Sequence, residues 1–200
     1  MKFEQENLSE KMALGKLPSN SPLPEANWVL VFGSVARFKD SKLTKVLQKR
    51  YPHAQIIGCT TSGEISDEGV QDESLHITAM QWERSTLKFV TKPVANMEQS
   101  HALGVDIAKD LNQDDLKGVF VLSDGLNVNG SELVEGIQET LPNIPITGGL
   151  AGDGASFSQT LLLHNTKVHD KIIIAVGIYG NDAVVTSGAL GGWKPYGPPR

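Results

Sequence analysis

One cysteine, Cys59, is all the chain contains, so an internal disulfide is excluded and a Cys-based zinc framework cannot be built. Long apolar runs are also missing. The longest, Ile172 to Val176, falls far short of the roughly 20 residues that a membrane-crossing helix needs. The first residues, MKFEQENLSEK, carry charge where a signal peptide requires an apolar core. Basic clusters are absent, and 18 Lys+Arg against 23 Asp+Glu give a formal charge of -5, which favours neither a nucleic-acid backbone nor an anionic membrane. These absences predict a cytoplasmic protein with no nucleic-acid partner and no membrane insertion.

What is present is an α/β pattern. Two hundred residues, 40% of them apolar, suffice for one sizeable core. The stretch from Lys117 to Gly154 shows the pattern most clearly. Val119 to Leu122 is a short apolar run ended by the turn residues Ser123-Asp124-Gly125. Asn129 is placed to cap a helix carrying Leu133, Val134 and Ile137 on one face, with Glu132 three residues after the cap and Pro142 as its stop. Ile144 to Thr147 then reads as a second strand opening into a glycine-rich loop, Gly148 to Gly154. Strand, helix and strand imply a right-handed crossover between parallel strands, with both loops at the carboxyl ends where open α/β sheets hold ligands.

The same signals occur earlier in the chain. Val29 to Ser34 precedes Val119 to Asp124 by ninety positions, and that shift also carries Pro52 to Pro142 and Gly58 to Gly148. Leu75 to Trp82 and Leu87 to Val94 alternate apolar and polar residues about a turn at Glu83 to Ser85, predicting a hairpin. Val105, Ile107, Ala108 and Leu111 predict a helix, and Thr160 to Leu163, Lys171 to Tyr179 and Ala183 to Leu190 predict the last strands. The expected fold is therefore a pseudo-symmetric, mixed-sheet single domain of two duplicated strand-helix-strand-hairpin units, spanning residues 27–190. Residues 1–26, polar and broken by Pro18, Pro22 and Pro24, predict a short helix and linker. Residues 191–200, with Trp193 and Tyr196 among glycines and prolines, predict a linker or the start of an interface to a further domain.

Convergence of the strand-end loops would make a polar, mostly uncharged cleft. Candidate ligand-binding residues are Ser34, Thr60, Thr61, Ser62, Asp124, Asn127, Asn129, Gly148, Gly149 and Asp153. Exposed glycine amides suit carboxylates or phosphates, and the hydroxyls and side-chain amides give directional contacts. Asp124 and Asp153 could neutralise a ligand amine or brace their own turns. The ligand-contact role is the one expected of Asp124, because it follows a buried strand and precedes a helix. Other chemistry fits poorly. Gly148 to Gly154 lacks the Gly-Lys-Ser/Thr ending of a phosphate loop, and a calcium loop at Gly125 to Gly136 would have glycine where its first and twelfth ligands belong. The five histidines have no metal-ligand spacing, and Cys59 has no histidine near it in sequence. No cofactor or catalytic residue is expected. The alternatives are an enzyme using Asp124 or Cys59 in the same cleft, and a docking module without a ligand.

Several ordered motifs carry a family resemblance: Phe32-Gly33-Ser34, Ile57 to Glu64, Leu122 to Gly125, Asn129 to Leu133, Gly148 to Gly154 and Gly191-Gly192-Trp193. Together they resemble the N-terminal FIST domain, a bacterial sensory module. The resemblance implies a small-molecule sensor, with ligands such as amino acids, and a companion C-terminal FIST domain or a signalling output protein as partner. It brings no catalytic residues.

Overall fold

The computed structural model describes residues 1–66, 69–186 and 188. The first half of the chain runs β1 (Lys2–Leu8), β2 (Trp28–Gly33), α1 (Val35–Lys39), α2 (Leu43–Arg50), β3 (Gln55–Thr60), a small hairpin of β4 (Glu64–Ser66) and β5 (Gly69–Gln71), and β6 (Leu75–Gln81). The second half runs β7 (Thr86–Pro93), α3 (Ser100–Leu111), β8 (Leu116–Ser123), α4 (Gly130–Thr140), β9 (Ile146–Leu150), β10 (Leu162–His164), β11 (Lys167–His169) and β12 (Ile172–Tyr179). Two mixed sheets result, ordered β1-β6-β2-β3-β10-β11 and β7-β12-β8-β9, beside the separate β4-β5 pair.

Strand alternation builds the layers. Val29 and Val31 of β2 join Phe38, Leu43 and Leu47 of the helices in one core, while Trp28 on the opposite face joins Ile57, Leu122, Ile174 and Val176. In the other sheet Val119, Val121, Ile173 and Ala175 pack with Ile107, Leu111, Leu133 and Ile137 of α3 and α4. The two sheets thus face one another, with helices on each outer face. Trp28 anchors the middle layer, its ring 6.3 Å from Trp82, 6.1 Å from Phe89 and 5.5 Å from Phe120. Each such aromatic pair contributes about 1 kcal/mol beyond its buried area.

The order β1-β6-β2-β3 recurs as β7-β12-β8-β9, with the same parallel and antiparallel pairings. Gly33 is opposite Thr60 and Ser123 opposite Leu150, a shift of ninety at both positions (33 to 123, 60 to 150). Backbone hydrogen bonds repeat at that shift. Thr61 donates to Gly33 at 3.1 Å as Ala151 does to Ser123 at 2.8 Å, and Tyr51 donates to Leu47 at 2.8 Å as Leu141 does to Ile137 at 2.9 Å. Close parallel pairing also requires glycine at equivalent places. A Cβ on Gly58 would come within 2.1 Å of the Val31 carbonyl oxygen, and one on Gly148 within 1.8 Å of that of Val121.

The structure corrects several expectations. Residues 2–8 form a strand, antiparallel to β6 from Lys2 opposite Gln81 to Leu8 opposite Leu75, where a helix was expected. The polar segment is held in the sheet because Glu4 and Glu6 meet the buried guanidinium of Arg50, which also donates to the Pro18 and Asn20 carbonyls at 2.7 and 3.0 Å. The expected linker therefore contributes core: Leu8, Leu14, Leu17 and Ala26 are all buried. β6 and β7 do exist but form no hairpin, since each enters a different sheet. The Asn27 amide engages both backbone groups of Trp82, at 2.9 and 3.0 Å, just where a hairpin would have begun. Each four-strand set accordingly opens on its edge strand, β1 or β7, and has its antiparallel neighbour β6 or β12 beside it. Of the expected strand over residues 183–190, residues 183–186 and 188 form none, and the rest lie outside the described residues, as do residues 191–200.

Candidate functional site

The parallel strands β2 and β3 end side by side, and β6, antiparallel to β2, begins at the same end, with Gly33 opposite Leu75. The loops that meet there enclose a cavity of about 840 Å³. Ser34 and Lys39 reach it from the N-cap and the end of α1, Thr61 and Ser62 from the turn after β3, Glu64 from the start of β4, Asp72 and Glu73 from before β6, and Asp153, Ser158 and Gln159 from the second half. The last loop closes over the first by direct bonds: Gly152 donates to the Thr60 carbonyl at 2.8 Å, and Ser62 Oγ donates to the Gly154 carbonyl at 3.2 Å.

Three side chains set the walls. Ser34 caps α1, its Oγ accepting from the Arg37 amide at 3.3 Å. Glu64 is 3% exposed and accepts from Thr61 Oγ1, from the Ser74 amide at 3.1 Å and from Ser74 Oγ at 2.6 Å, tying the β3 end to the β6 start. Asp153 accepts from the amides of Phe157, Ser158 and Gln159, at 3.0, 2.6 and 2.8 Å, and so shapes its own loop. The amides of Gln159 and Ser158 hold its carboxyl below the usual range and outweigh the small effect of burial.

Four of the sequence-derived candidates, Ser34, Thr61, Ser62 and Asp153, therefore share one cleft. The others lie elsewhere. Thr60 is fully buried and its Oγ1 accepts from the Leu161 amide at 3.0 Å. Asn129 Oδ1 accepts from Ser131 and Glu132 at the start of α4, the capping role its position suggested. Gly148 and Gly149 belong to β9, not to a loop, and line a separate cavity of about 380 Å³ with Leu133 and Val134. Their place in a strand follows from the close parallel pairing already described.

Asp124 is 1% exposed, and its carboxylate is used within the protein. Oδ1 accepts from the Leu126 amide at 3.0 Å, the Asn127 amide at 2.5 Å and Asn127 Nδ2 at 3.0 Å, while Oδ2 accepts from Thr160 Oγ1 at 2.7 Å. Burial alone would raise its pKa, but the Thr160 hydroxyl, both Asn127 donors and the Leu126 amide outweigh burial and hold the carboxyl below its ordinary value. This geometry commits the Asp124 carboxylate and the Asn127 amide to bracing the turn, and both residues also line a cavity of about 390 Å³ separate from the one at Ser34. Cys59 is 3% exposed, and burial pushes its thiol up to about 12, so it is no thiolate nucleophile near neutral pH.

Glu64, Asp72, Glu73 and Lys39 escaped the sequence-derived set. An antiparallel β6 beside β2 would have placed Asp72 and Glu73 at the cleft, but the sequence signals paired β6 with β7 instead. Among the described residues, no group of three or more His, Cys, Asp or Glu could hold a metal ion. Among them too, no helix is long and apolar enough to cross a membrane.

No curated protein matches the chain. Among solved structures, a chorismatase crystal structure is similar at a TM-score of 0.39 and 10% identity, over 92% of this chain and 55% of its own. The present chain thus spans about half the length of that protein, a likeness too distant to bear on function. The sequence model of the FIST N domain matches residues 27–200, most of the chain. From its ordered loop motifs and that match, the chain belongs to the FIST N domain family, a family of sensory domains.

Proposed function

We propose that the chain is the ligand-binding part of a cytoplasmic signal-transduction protein, and that the cleft beside Ser34, Thr61 and Ser62 receives a small polar molecule bearing an amine, such as a free amino acid. The observation that carries this reading is the charge of the cavity: among the described residues, Glu64, Asp72, Glu73 and Asp153 line it against Lys39 alone. A cationic group gains from that field, and Lys39 is the cation available to a carboxylate on the same ligand. Bracing by Glu64 and Asp153 preorganises the loops, which lowers the ordering cost of binding. The reading is non-catalytic, since the two groups considered for an enzyme are a buried neutral thiol and a carboxylate committed to its turn. A companion C-terminal FIST domain or another output protein would read the bound state.

Thermal unfolding with α-amino acids, their deaminated carboxylates and their decarboxylated amines tests the assignment. A ligand at a hundred times its Kd stabilises the folded chain by about 2.7 kcal/mol, a clear rise in Tm. Amine-bearing probes should produce it and deaminated carboxylates should not. A rise caused by carboxylates alone, or by no probe, would reject the proposal.

A further inference from the structure

The cleft at the first strand end carries charge that the protein itself leaves uncompensated. Among the described residues, none of Lys39, Glu64, Asp72, Glu73 and Asp153 takes part in an ion pair. Glu64 and Asp153 are held by hydroxyls and backbone amides, neutral donors that fix a carboxylate without cancelling its charge. Arg37 of α1 gives no relief, because its guanidinium is spent on the backbone carbonyls of Ser9, Glu10, Met12 and Glu73. The side chains of Asp72 and Glu73 have no hydrogen-bond partner among the described residues. Asp72 stands beside the turn after β3, where a Cβ on Gly63 would lie 3.3 Å from its Oδ1.

One lysine against four carboxylates is a poor match for a ligand of no net charge. The ammonium and carboxylate of a neutral amino acid cancel, so its binding leaves the excess where it was. A second cation on the same molecule reduces that excess. Room and wall chemistry agree. The cavity of about 840 Å³ lies toward the upper end of the roughly 300–1,000 Å³ typical of small-molecule sites, which leaves space for a long side chain beyond the α-carbon. Its apolar lining among the described residues is Val35, Ala36 and Ala155, so a long aliphatic or aromatic side chain would find little to pack on.

Building on the cleft as an amine site, we propose that its ligand is an amino acid with a second cation on its side chain, as in lysine, ornithine or arginine, and that Asp72 and Glu73 select that charge. Calorimetric titration of the 200-residue chain with lysine and with norleucine, which has the same carbon chain without the ε-ammonium, tests it. At low ionic strength lysine should bind at least about tenfold more tightly, and added salt should narrow the gap because these carboxylates are exposed. The double variant Asp72→Asn, Glu73→Gln should bring the two affinities within about threefold of each other. Equal affinities in the parent chain would overturn the selection of a second cation while leaving the amine site itself in place. A lysine preference that survives the double variant would overturn the roles of Asp72 and Glu73. Binding of neither compound would overturn both this proposal and the amine site on which it stands. Should the variant misfold, the ratio in the parent chain and its salt dependence still decide.

Discussion

The two strand ends at Ser34 and Asp124 occupy corresponding places in the two sheets, yet the cavity beside the first is about 840 Å³ and the one beside the second about 390 Å³. Ser34 donates its amide to Ser74 at 3.2 Å, and Asp124 donates its amide to Ile172 at 3.0 Å, so the backbones match. The side chains then part. The short Ser34 hydroxyl caps its own helix beside the larger cavity, whereas the Asp124 carboxylate reaches across to Thr160 and both line the smaller one. Under the proposed function the larger cavity, at the first strand end, receives the ligand, while the carboxylate at the second is engaged by its own turn and Thr160.

The largest effect should come from what only the first half has. Arg50 is 2% exposed and binds Glu4, Glu6 and two carbonyls of the N-terminal segment, whereas its counterpart at the shift of ninety is Thr140. Arg50→Ala removes the cation from beside the Glu4 and Glu6 carboxylates and should lower unfolding stability by about 3 kcal/mol. Chemical denaturation checks the value, and a loss below about 1 kcal/mol would show that the segment is not anchored there.

Next come the paired strand ends themselves. Asp124→Ala abandons two backbone amides and the Thr160 hydroxyl and should cost about 2–3 kcal/mol, while Ser34→Ala removes one helix cap and should cost about 1 kcal/mol. Measured by the same denaturation, equal costs would break the contrast. Asp124→Ala should also leave affinity for a cleft ligand nearly unchanged, since its carboxylate lies outside that cavity.

A smaller effect concerns pH. The folded-state pKa of Asp124 is depressed, so its contribution is fully present above the unfolded carboxyl value near 4 and is lost as pH falls through the folded value. Asp124→Asn should therefore unfold with a flatter pH dependence below about pH 4 than the parent. Parallel acid titrations would expose the opposite behaviour if the carboxylate were unbraced.

Much of this frame was legible in the sequence, because its signals are local. Apolar runs marked β2, β8 and β12, helical spacing marked α3 and α4, and Asn129 announced its cap. The constant shift of ninety foretold the shared registers of the parallel pairs. What was hidden depends on partners far along the chain. Glu4 and Glu6 pair with Arg50, more than forty residues away, and no local pattern announces that contact. The Leu75 to Val94 alternation suits a hairpin as well as two separate sheets, and only the Trp28 cluster and Asn27 decide between them. That same decision moved Asp72 and Glu73 into the cleft. Asp124 was recognised as a position of consequence, but its role turned on Thr160, thirty-six positions later.

The central claim is that the first strand end, and not the second, receives the ligand. Titration of the isotopically labelled chain with free α-amino acids, followed by backbone NMR, tests this most directly. The account predicts that shifts gather on Ser34, Thr61, Ser62 and Gly154 and that Asp72→Asn weakens them. Shifts centred on Asp124 and Asn127 instead, or spread without any focus, would contradict it.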